Sequence, residues 1–436
     1  MKIGFISLGC SKNLVDTEMM IGLFKSNNYE IVNDPKDAEI ILINTCGFIG
    51  SAKEEGINTI LEMSQYKKTG KCKYLIVTGC LVQRYKEELA RALPEVDLFL
   101  TIDEYKDMWK KVEEITAQIN NKPLDYLDYM DRVVTTGNTT AYLKIAEGCS
   151  NRCTYCAIPY IRGPYISRKM EDVLKEAKSL AEKGYKEVIV IAQDTTKYGI
   201  DLYGESKLAE LLEQLSNIKE FKWIRFLYAY PETITDDLIK LVRDNPKICK
   251  YFDIPIQHIS DTVLKRMNRK SNGKSIRELI SKIRKEIPDV VLRTSLIVGF
   301  PGETEEDFNE LLNFVGETKF DKLGTFMYSK EDGTPAAKLK DQIHPMTKKS
   351  RYNKIMKLQQ QNSNENLKKY LDNELEILIE NITFDGKYYV GRTEYDVPDM
   401  DGVVYVENTK KLNIGDFVKC KIIKKQDYDL VANIIN

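Results

Sequence analysis

Short, nearly continuous apolar runs alternate with amphipathic helical stretches along most of this 436-residue chain. Six such runs lie between residues 141 and 329, with helical patterns between them. They read AYLKIAEGC, EVIVIAQD, KWIRFLYAYP, YFDIPIQH, VLRTSLIVGF and KLGTFMYS. Apolar strands in strict alternation with helices are typical of a parallel sheet covered by helices. Six β/α units predict an open, partial (β/α)6 barrel rather than a closed eightfold one.

Three earlier apolar runs each end near a cysteine. KIGFISLGC ends at Cys10, AEIILINTCGF holds Cys46, and KYLIVTGC ends at Cys80. The cysteines are 36 and 34 positions apart, about one βαβ unit each. Because the carboxyl ends of parallel strands share one edge of a sheet, we expect these thiols to meet there. The fold class is therefore α/β, with a parallel-sheet domain over residues 1–116.

A linker, a polar helix and a strand-rich tail complete the pattern. Residues 117–134 look like a linker, and residues 346–372 read as a polar helix. The tail then shows five short runs, LEILIEN, KYYVGRT, GVVYVEN, FVKCKIIKK and LVANII, with turn signals between them. Five short strands predict a small all-β barrel of the oligonucleotide-binding type. We divide the chain into domains at 1–116, 135–366 and 369–436.

Composition limits the compartment and the partners. Nine cysteines, an odd number in a chain of this length, are typical of metal or redox chemistry in a reducing compartment. A net charge of −1 provides no global attraction to nucleic acid. The opening apolar stretch is too short for an export signal, and no run approaches the roughly 18 residues that span a bilayer. We expect a cytoplasmic protein with no membrane partner.

The stretch AEGCSNRCTYCAIPYIRGPY (146–165) places Cys149, Cys153 and Cys156 within eight positions. A four-iron cluster normally takes four thiolates, so three thiolates leave one iron open to a small molecule. The alternative is a structural zinc site or incidental thiols. Zinc requires four ligands, and the two histidines, His258 and His344, lie far along the chain.

Other candidate residues allow two interpretations. Cys10, Cys46 and Cys80 either hold a second cluster or are inert cysteines at strand ends. Gly299 and Gly302 in LIVGFPGET (296–304) either let backbone approach a ligand or form a tight turn. His258 is either a site residue or a hydrogen-bonded histidine at a strand end. The remaining cysteines are expected to be buried and inert, namely Cys72, Cys249 and Cys420.

Two cysteine trios, a β/α domain, a partial barrel and a small β-barrel tail together resemble the methylthiotransferases, a family of radical S-adenosylmethionine enzymes. The resemblance covers essentially the whole chain, and Tyr155 fills the family's aromatic position before the last cysteine of the motif. It implies a [4Fe-4S] cluster on Cys149, Cys153 and Cys156 that binds S-adenosylmethionine. Cleavage of that cofactor would yield a 5′-deoxyadenosyl radical. The tail would be a TRAM domain.

The resemblance also implies roles for other residues and partners. An auxiliary [4Fe-4S] cluster on Cys10, Cys46 and Cys80 would carry sulfur. One S-adenosylmethionine would methylate that sulfur, and a second would supply the radical. Cofactor contacts are implied for Tyr155, Gly299 and Gly302. A low-potential electron donor such as flavodoxin or ferredoxin would serve the enzyme.

The family divides by substrate. One branch modifies the β-carbon of an aspartate in the twelfth protein of the small ribosomal subunit, and the other modifies adenosine beside the tRNA anticodon. Stretches of this chain resemble the protein-directed branch, and Ser11, where that branch usually has proline, is a small departure. The stretches are SLGCSKNLVDTE (7–18), KIAEGCSNRCTYCAIPYIRG (144–163), FDIPIQHISDTVLKRM (252–267) and YSKEDGTPA (328–336).

The charge of the tail bears on the same choice. Residues 368–436 carry ten Lys or Arg and thirteen Asp or Glu. An RNA-binding barrel should be basic, so this balance argues against direct nucleic-acid binding and favours a basic protein partner. KCKIIKK (419–425) leaves a local basic face, and with it the tRNA branch, open. A non-enzymatic two-cluster electron or sulfur carrier is the second alternative, and it would release no 5′-deoxyadenosine.

Overall fold

The computed structural model describes residues 1–116 and 129–435. Most of the linker predicted at 117–134 therefore lies outside the described residues. Three bodies follow one another along the chain. They are an α/β domain with a parallel sheet, a partial β/α barrel and a closed five-stranded barrel. The predicted fold class is confirmed.

The amino-terminal sheet has five parallel strands in the order β2-β1-β3-β4-β5. All six residues of the central strand β3 are buried, because helices cover both faces of the sheet. The strands are β1 (Lys2–Ser7), β2 (Glu30–Ile31), β3 (Ile40–Thr45), β4 (Tyr74–Gly79) and β5 (Leu98–Leu100). The helices are α1 (Ser11–Ser26), α2 (Gly50–Ser64), α3 (Tyr66–Thr69), α4 (Cys80–Ala92) and α5 (Met108–Thr116).

The central body consists of two parallel three-stranded sheets, β6-β9-β10 and β11-β12-β13. A single bridge between Ile224 and Ile248 joins them into one curved sheet, the expected partial barrel. The barrel strands are β6 (Thr140–Lys144), β9 (Glu187–Ile191), β10 (Trp223–Phe226), β11 (Tyr251–Asp253), β12 (Val291–Val298) and β13 (Lys322–Met327). A small hairpin, β7 (Ala146–Glu147) and β8 (Ile166–Ser167), flanks the cysteine loop.

Helices cover the outside of the barrel. Capping boxes start two of them, Asn272 with Ser275 at α12 and Thr304 with Asp307 at α13. The helices are α6 (Ile158–Arg162), α7 (Met170–Glu182), α8 (Ile200–Tyr203), α9 (Leu208–Ser216), α10 (Asp236–Asp244), α11 (Asp261–Arg266), α12 (Gly273–Glu286) and α13 (Glu305–Thr318).

A long helix, α14 (Pro345–Asn366), leads to the tail. The tail is a closed barrel in the order β14-β15-β16-β18-β17, as predicted. On β17, Cys420 and Ile422 face inward and are fully buried, whereas Lys419 and Lys421 face outward and are exposed. The strands are β14 (Glu374–Ile382), β15 (Tyr388–Arg392), β16 (Val404–Glu407), β17 (Phe417–Lys425) and β18 (Leu430–Ile434).

The tail packs against the base of the central barrel, where its strands begin. Arg392 at the end of β15 donates to Glu187 at 2.6 Å and to Glu380 at 2.7 Å. In the loop from 393 to 403, Asp396 accepts from Lys322 at 2.7 Å and Val397 is fully buried. We call this segment the base loop. It closes the end of the barrel opposite the cysteines.

Candidate functional site

Cys10, Cys46 and Cys80 meet at the carboxyl edge of the amino-terminal sheet. Ser7 is in register with Asn44, and Thr45 is in register with Gly79, so β1, β3 and β4 end side by side. The cysteines follow at once, Cys10 capping α1, Cys46 directly after β3, and Cys80 opening α4. Burial, with a smaller contribution from negative charge on Cys80 and Cys10, raises the pKa of the Cys46 thiol to about 11. The structure thus brings this trio together.

Two glycines make this convergence possible. Gly79 adopts a φ of 98°, and a Cβ there would lie 2.3 Å from the Asn44 Oδ1. Gly9 adopts a φ of 91°, and its Cβ would lie 2.7 Å from the Cys46 Cβ. Only glycine combines such a conformation with so close an approach. The strand ends can therefore turn sharply and deliver their thiols to one place.

The second trio lies in the loop between β7 and α6. The Cys149 amide donates to the Gly163 carbonyl at 3.1 Å, which closes the loop, and the Cys156 amide donates to the Cys153 carbonyl at 3.0 Å. Burial raises the pKa of the Cys156 thiol, and negative charge on Cys153 and Cys149 raises it further. These three thiols are also neighbours, at the mouth of the barrel.

The donor set fits iron–sulfur clusters better than single metal ions. Within residues 1–116 and 129–435, no three His, Cys, Asp or Glu side chains converge on one metal ion. A cluster does not need such convergence, because each thiolate binds its own iron. Arg269 lies beside Cys153, and its buried Nε and Nη1 lack hydrogen-bond partners. The Arg269 Nε also lies 3.6 Å from the Glu232 Oε1, and the charge of this guanidinium beside Cys153 suits an anionic cluster.

Arg162 connects the two trios. It is the last residue of α6, which follows Cys156, and its Nη2 lies 3.5 Å from the Cys80 Sγ and 2.9 Å from the Asn13 Oδ1. Its Nη1 donates to Asp16 at 2.5 Å, and Lys144 of β6 donates to the other oxygen of Asp16. The positive charge of Arg162 offsets part of the burial that raises the pKa of Cys80. One buried ion network thus spans the interface between the sheet domain and the barrel.

The other predicted site residues lie around the barrel mouth. The Tyr155 hydroxyl is buried beside Cys153. Gly299 adopts a φ of 71°, and a Cβ there would lie 2.3 Å from the Lys348 Cγ. At Gly302 the same space is filled by Arg266. The absent Cβ thus makes room for protein side chains at both glycines, and their cofactor contacts stay predictions.

Glu303 organises the same turn. Its Oε2 accepts from the amides of Gly299 and Phe300 at 2.6 and 3.1 Å. Its Oε1 accepts from Arg351 at 2.7 Å. His258, whose Nδ1 accepts from the Ser260 amide at 3.1 Å, is fully buried, and burial lowers its pKa to about 3. Of the two interpretations of His258, the structure favours the hydrogen-bonded strand-end histidine.

Cys72, Cys249 and Cys420 pack into three separate hydrophobic cores, as expected for inert cysteines. Arg162, Asp16 and Arg269 could not be identified as site residues from the sequence. Each lies in an ordinary polar context along the chain, and only the packing of the sheet domain on the barrel shows their partners. A basic residue six positions after the last motif cysteine was the sole available signal for Arg162.

Family models match three parts of the chain. Residues 143–315 match the Radical SAM superfamily, residues 2–101 match Uncharacterized protein family UPF0004, and residues 373–435 match the TRAM domain.

No helix among the described residues has both the length and the apolar character that a membrane span needs.

Curated relatives match the chain from end to end. The ribosomal protein uS12 methylthiotransferase RimO of Alkaliphilus oremlandii is 65% identical and covers 100% of this chain and 99% of its own. The protein of the same name from Acetivibrio thermocellus is 51% identical over 100% and 98%.

Solved structures share the fold at low identity. The radical S-adenosylmethionine methyltransferase TsrM from Kitasatospora setae, with cobalamin and a [4Fe-4S] cluster bound, has a TM-score of 0.56 at 12% identity. That match covers 77% of this chain and 76% of TsrM. The cobalamin-dependent radical enzyme OxsB, with a TM-score of 0.52 at 12% identity, covers 84% of this chain and 56% of its own.

Proposed function

The chain belongs to the ribosomal protein uS12 methylthiotransferase RimO family of radical S-adenosylmethionine enzymes, and from that premise we propose that it adds a methylthio group to the β-carbon of an aspartate in uS12. It is a transferase that uses two [4Fe-4S] clusters and S-adenosylmethionine. The observation that carries the proposal is the placement of two cysteine trios on facing edges, bridged by Arg162.

We assign one cluster to each trio. Cys149, Cys153 and Cys156 would hold the cluster with an open iron, and Cys10, Cys46 and Cys80 would hold the auxiliary cluster. Together these groups supply one-electron cleavage of S-adenosylmethionine and a store of sulfur. In this proposal the first domain, residues 1–116, stores sulfur, and the second domain, residues 135–366, carries out the radical chemistry. The third domain covers residues 369–436.

The chain's own residues orient both thiol sets and shield the second one from water. Arg162 holds the Cys80 thiolate by charge and hydrogen bonding, and Asp16 holds Arg162 in turn. Cys149 and Cys153 are 6% and 5% exposed, so solvent has little access to that trio. The Glu303 carboxylate fixes the Gly299–Phe300 turn through two backbone donors. The first trio thus lies where strands end and helices begin, and the second lies in a loop that the Cys149–Gly163 hydrogen bond closes.

The tail's charge supports a protein substrate less directly than the sequence suggested. Glu376 accepts from Lys222 at 2.5 Å, Asp396 from Lys322 at 2.7 Å, and Asp401 from Tyr251 at 2.8 Å. These acids neutralise or cap groups of the central barrel and are not free for a partner. On the neighbouring strand β14, Glu376 is in register with Lys419 and Glu374 with Lys421, so acidic residues lie beside the lysines of β17. This pattern still favours uS12 over RNA.

An electron donor and a compartment complete the proposal. A low-potential donor such as flavodoxin or ferredoxin would supply electrons, since cleavage of S-adenosylmethionine consumes one electron. The cytoplasm, where the ribosome is found, would be the site of the reaction. The enzyme would therefore act among reduced thiols, consistent with nine free cysteines.

A competition assay tests the substrate. Anaerobically reconstituted enzyme, dithionite and S-adenosylmethionine are mixed with a uS12 loop peptide and a tRNA anticodon arm, and both products are examined by mass spectrometry. A methylthio mass gain on the peptide's aspartate alone is the expected result. A gain on the RNA would assign the protein to the tRNA-directed branch. Absence of 5′-deoxyadenosine release would instead support the electron-carrier alternative.

A further inference from the structure

Lys12 crosses from the sheet domain into the mouth of the barrel. It is the second residue of α1, two positions after Cys10, and it is only 9% exposed. Its Nζ lies 3.2 Å from the centroid of the Tyr228 ring. Tyr228 follows β10 at the carboxyl end of the barrel strands. The ammonium group is therefore held between the edge that carries Cys10 and the barrel mouth.

The backbone is arranged to present the Tyr228 ring. Tyr228 adopts a φ of 62°, which a non-glycine residue takes only when its surroundings impose it. Its amide donates to the Asp253 Oδ2 at 3.0 Å, and its carbonyl accepts from Thr195 at 3.1 Å. Arg293 holds the other oxygen of Asp253 at 2.7 Å. The ring is thus a fixed platform beneath Lys12.

Lys12 differs from the other cations of the interface. Lys144 and Arg162 share Asp16, and Arg293 pairs with Asp253. Across residues 1–116 and 129–435, the Lys12 Nζ makes neither an ion pair nor a hydrogen bond within the protein. The ring face of Tyr228 holds the ammonium group in place without neutralising its charge. A cation that is fixed at the site and has no protein anion beside it is available to an anionic ligand.

The proposed substrate supplies that anion. An aspartate side chain carries its carboxylate one bond from the β-carbon that reacts. We propose that Lys12 binds the carboxylate of the target aspartate and so places the β-carbon between the barrel mouth and the auxiliary trio. This inference rests on the proposed function. It makes Lys12 a determinant of specificity for aspartate over its neutral amide.

The test compares two peptides on the reconstituted holoenzyme. A uS12 loop peptide with the target Asp and the same peptide with Asn are each measured for binding by fluorescence anisotropy and for kcat/KM. We expect the wild type to favour the Asp peptide about 10- to 100-fold in binding, the range of a hydrogen bond to a charged group. Equal binding of both peptides by the wild type overturns the inference without any protein variant.

Variants at position 12 then assign the preference. K12M should bring the two peptides to nearly equal binding, and K12R should keep most of the preference, because it retains the charge. K25M removes an exposed lysine of the same helix and should change nothing. Iron content and release of 5′-deoxyadenosine without peptide report whether K12M is folded and loaded. K12M that retains the Asp preference overturns the inference.

Three outcomes separate failure of the inference from failure of the proposed function. If K12M raises the KM for S-adenosylmethionine and leaves the peptide preference intact, the anion is the cofactor's carboxylate and the inference is wrong. If wild-type enzyme releases 5′-deoxyadenosine yet never modifies the Asp peptide, the proposed function fails, and the assignment of Lys12 fails with it. Modification of the peptide by the wild type with an unchanged preference in K12M refutes the inference alone.

Discussion

The two trios differ from the other three cysteines in where they lie, and that difference can be measured by iron content. Replacing Cys10, Cys46 and Cys80 together by Ser should remove about four irons per chain and leave cleavage of S-adenosylmethionine intact, because one cluster remains. Replacing Cys149, Cys153 and Cys156 should remove a similar amount and abolish cleavage. The control, C72A with C420A, should keep all the iron. Loss of iron in that control would contradict the assignment.

Arg162 should support iron binding by the auxiliary trio, Cys10, Cys46 and Cys80, more than iron binding by the second trio. R162M leaves the buried Asp16 with Lys144 alone and removes the cation beside Cys80, so we expect the free energy of unfolding to fall by about 3–5 kcal/mol. Iron should be lost from the auxiliary trio first, while cleavage of S-adenosylmethionine persists. Thermal unfolding and iron analysis measure both effects.

The loop before α6 offers a control for Arg162. Arg152 is exposed, and R152M should preserve stability and iron. R162K should give an intermediate result, since a lysine keeps the charge but cannot reproduce the forked contact with Asp16 and Asn13. Equal iron in R162M and R152M would show that Arg162 does not support the auxiliary trio.

At the scale of elements, the turn from β4 into α4 should tolerate no side chain. G79A adds a Cβ at 2.3 Å from the Asn44 Oδ1 in a backbone conformation that disfavours any L-residue. We expect a loss of about 3 kcal/mol or more in unfolding free energy, and displacement of Cys80. Chemical denaturation and iron content measure these effects.

Gly184 provides the comparison for this turn. It has nearly the same φ, 97°, but a Cβ there would meet no atom within 4 Å. G184A should therefore cost only the backbone strain, about 1–2 kcal/mol, and leave iron unchanged. Similar losses in G79A and G184A would mean that crowding at the strand end contributes nothing.

The sequence was sufficient for the elements because their signals are local. Apolar periodicity located β1, β3 and β4, and the common direction of parallel strands then predicted that Cys10, Cys46 and Cys80 converge. Local sequence patterns could not predict the contacts of Arg162 or Lys12, since their partners lie on other domains. Arg162 and Cys80 are 82 positions apart, and no periodicity encodes that contact. The polar helix predicted to residue 372 ends at Asn366, where a short 3-10 turn follows.

At the scale of the whole molecule, the tail and the central barrel should unfold together. Arg392, 2% exposed, pairs with Glu187, which Arg225 also contacts at 3.1 Å. R392M leaves the fully buried Glu187 with one cation, so we expect unfolding free energy to fall by about 3–5 kcal/mol. Differential scanning calorimetry should show one shared transition in the wild type. Separate transitions for barrel and tail in the wild type would contradict this coupling.

The same pair should make stability depend on pH. Burial opposes ionisation of Glu187, but Arg392 and Arg225 outweigh it and hold its pKa below the usual range. The stabilisation is thus present above the unfolded-state pKa of about 4.3 and is lost as pH falls further. R392M should reduce this acid dependence, whereas R243M, which breaks an exposed pair, should not. Parallel acid-unfolding curves for wild type and R392M would refute the role of the pair.

Net charge could not have predicted this interface from the sequence. A count over residues 368–436 treats every acid as available to a partner, yet Asp396 and Glu376 point at lysines of the central barrel. Which acids remain free depends on how two domains pack, and that is decided by shape as well as charge. The balance of the tail therefore indicated a class of partner without locating a docking surface.

The base loop also restricts the shape of anything that reaches the cysteines. Buried residues such as Val397 close the base of the barrel, so its interior opens only at the mouth, which lies under the sheet domain. A substrate polypeptide cannot pass through a barrel that is closed at one end. The segments before and after its target residue must therefore both leave through the mouth. The target residue must accordingly sit at the tip of a tight bend. A folded protein that displays such a bend can be modified without unfolding.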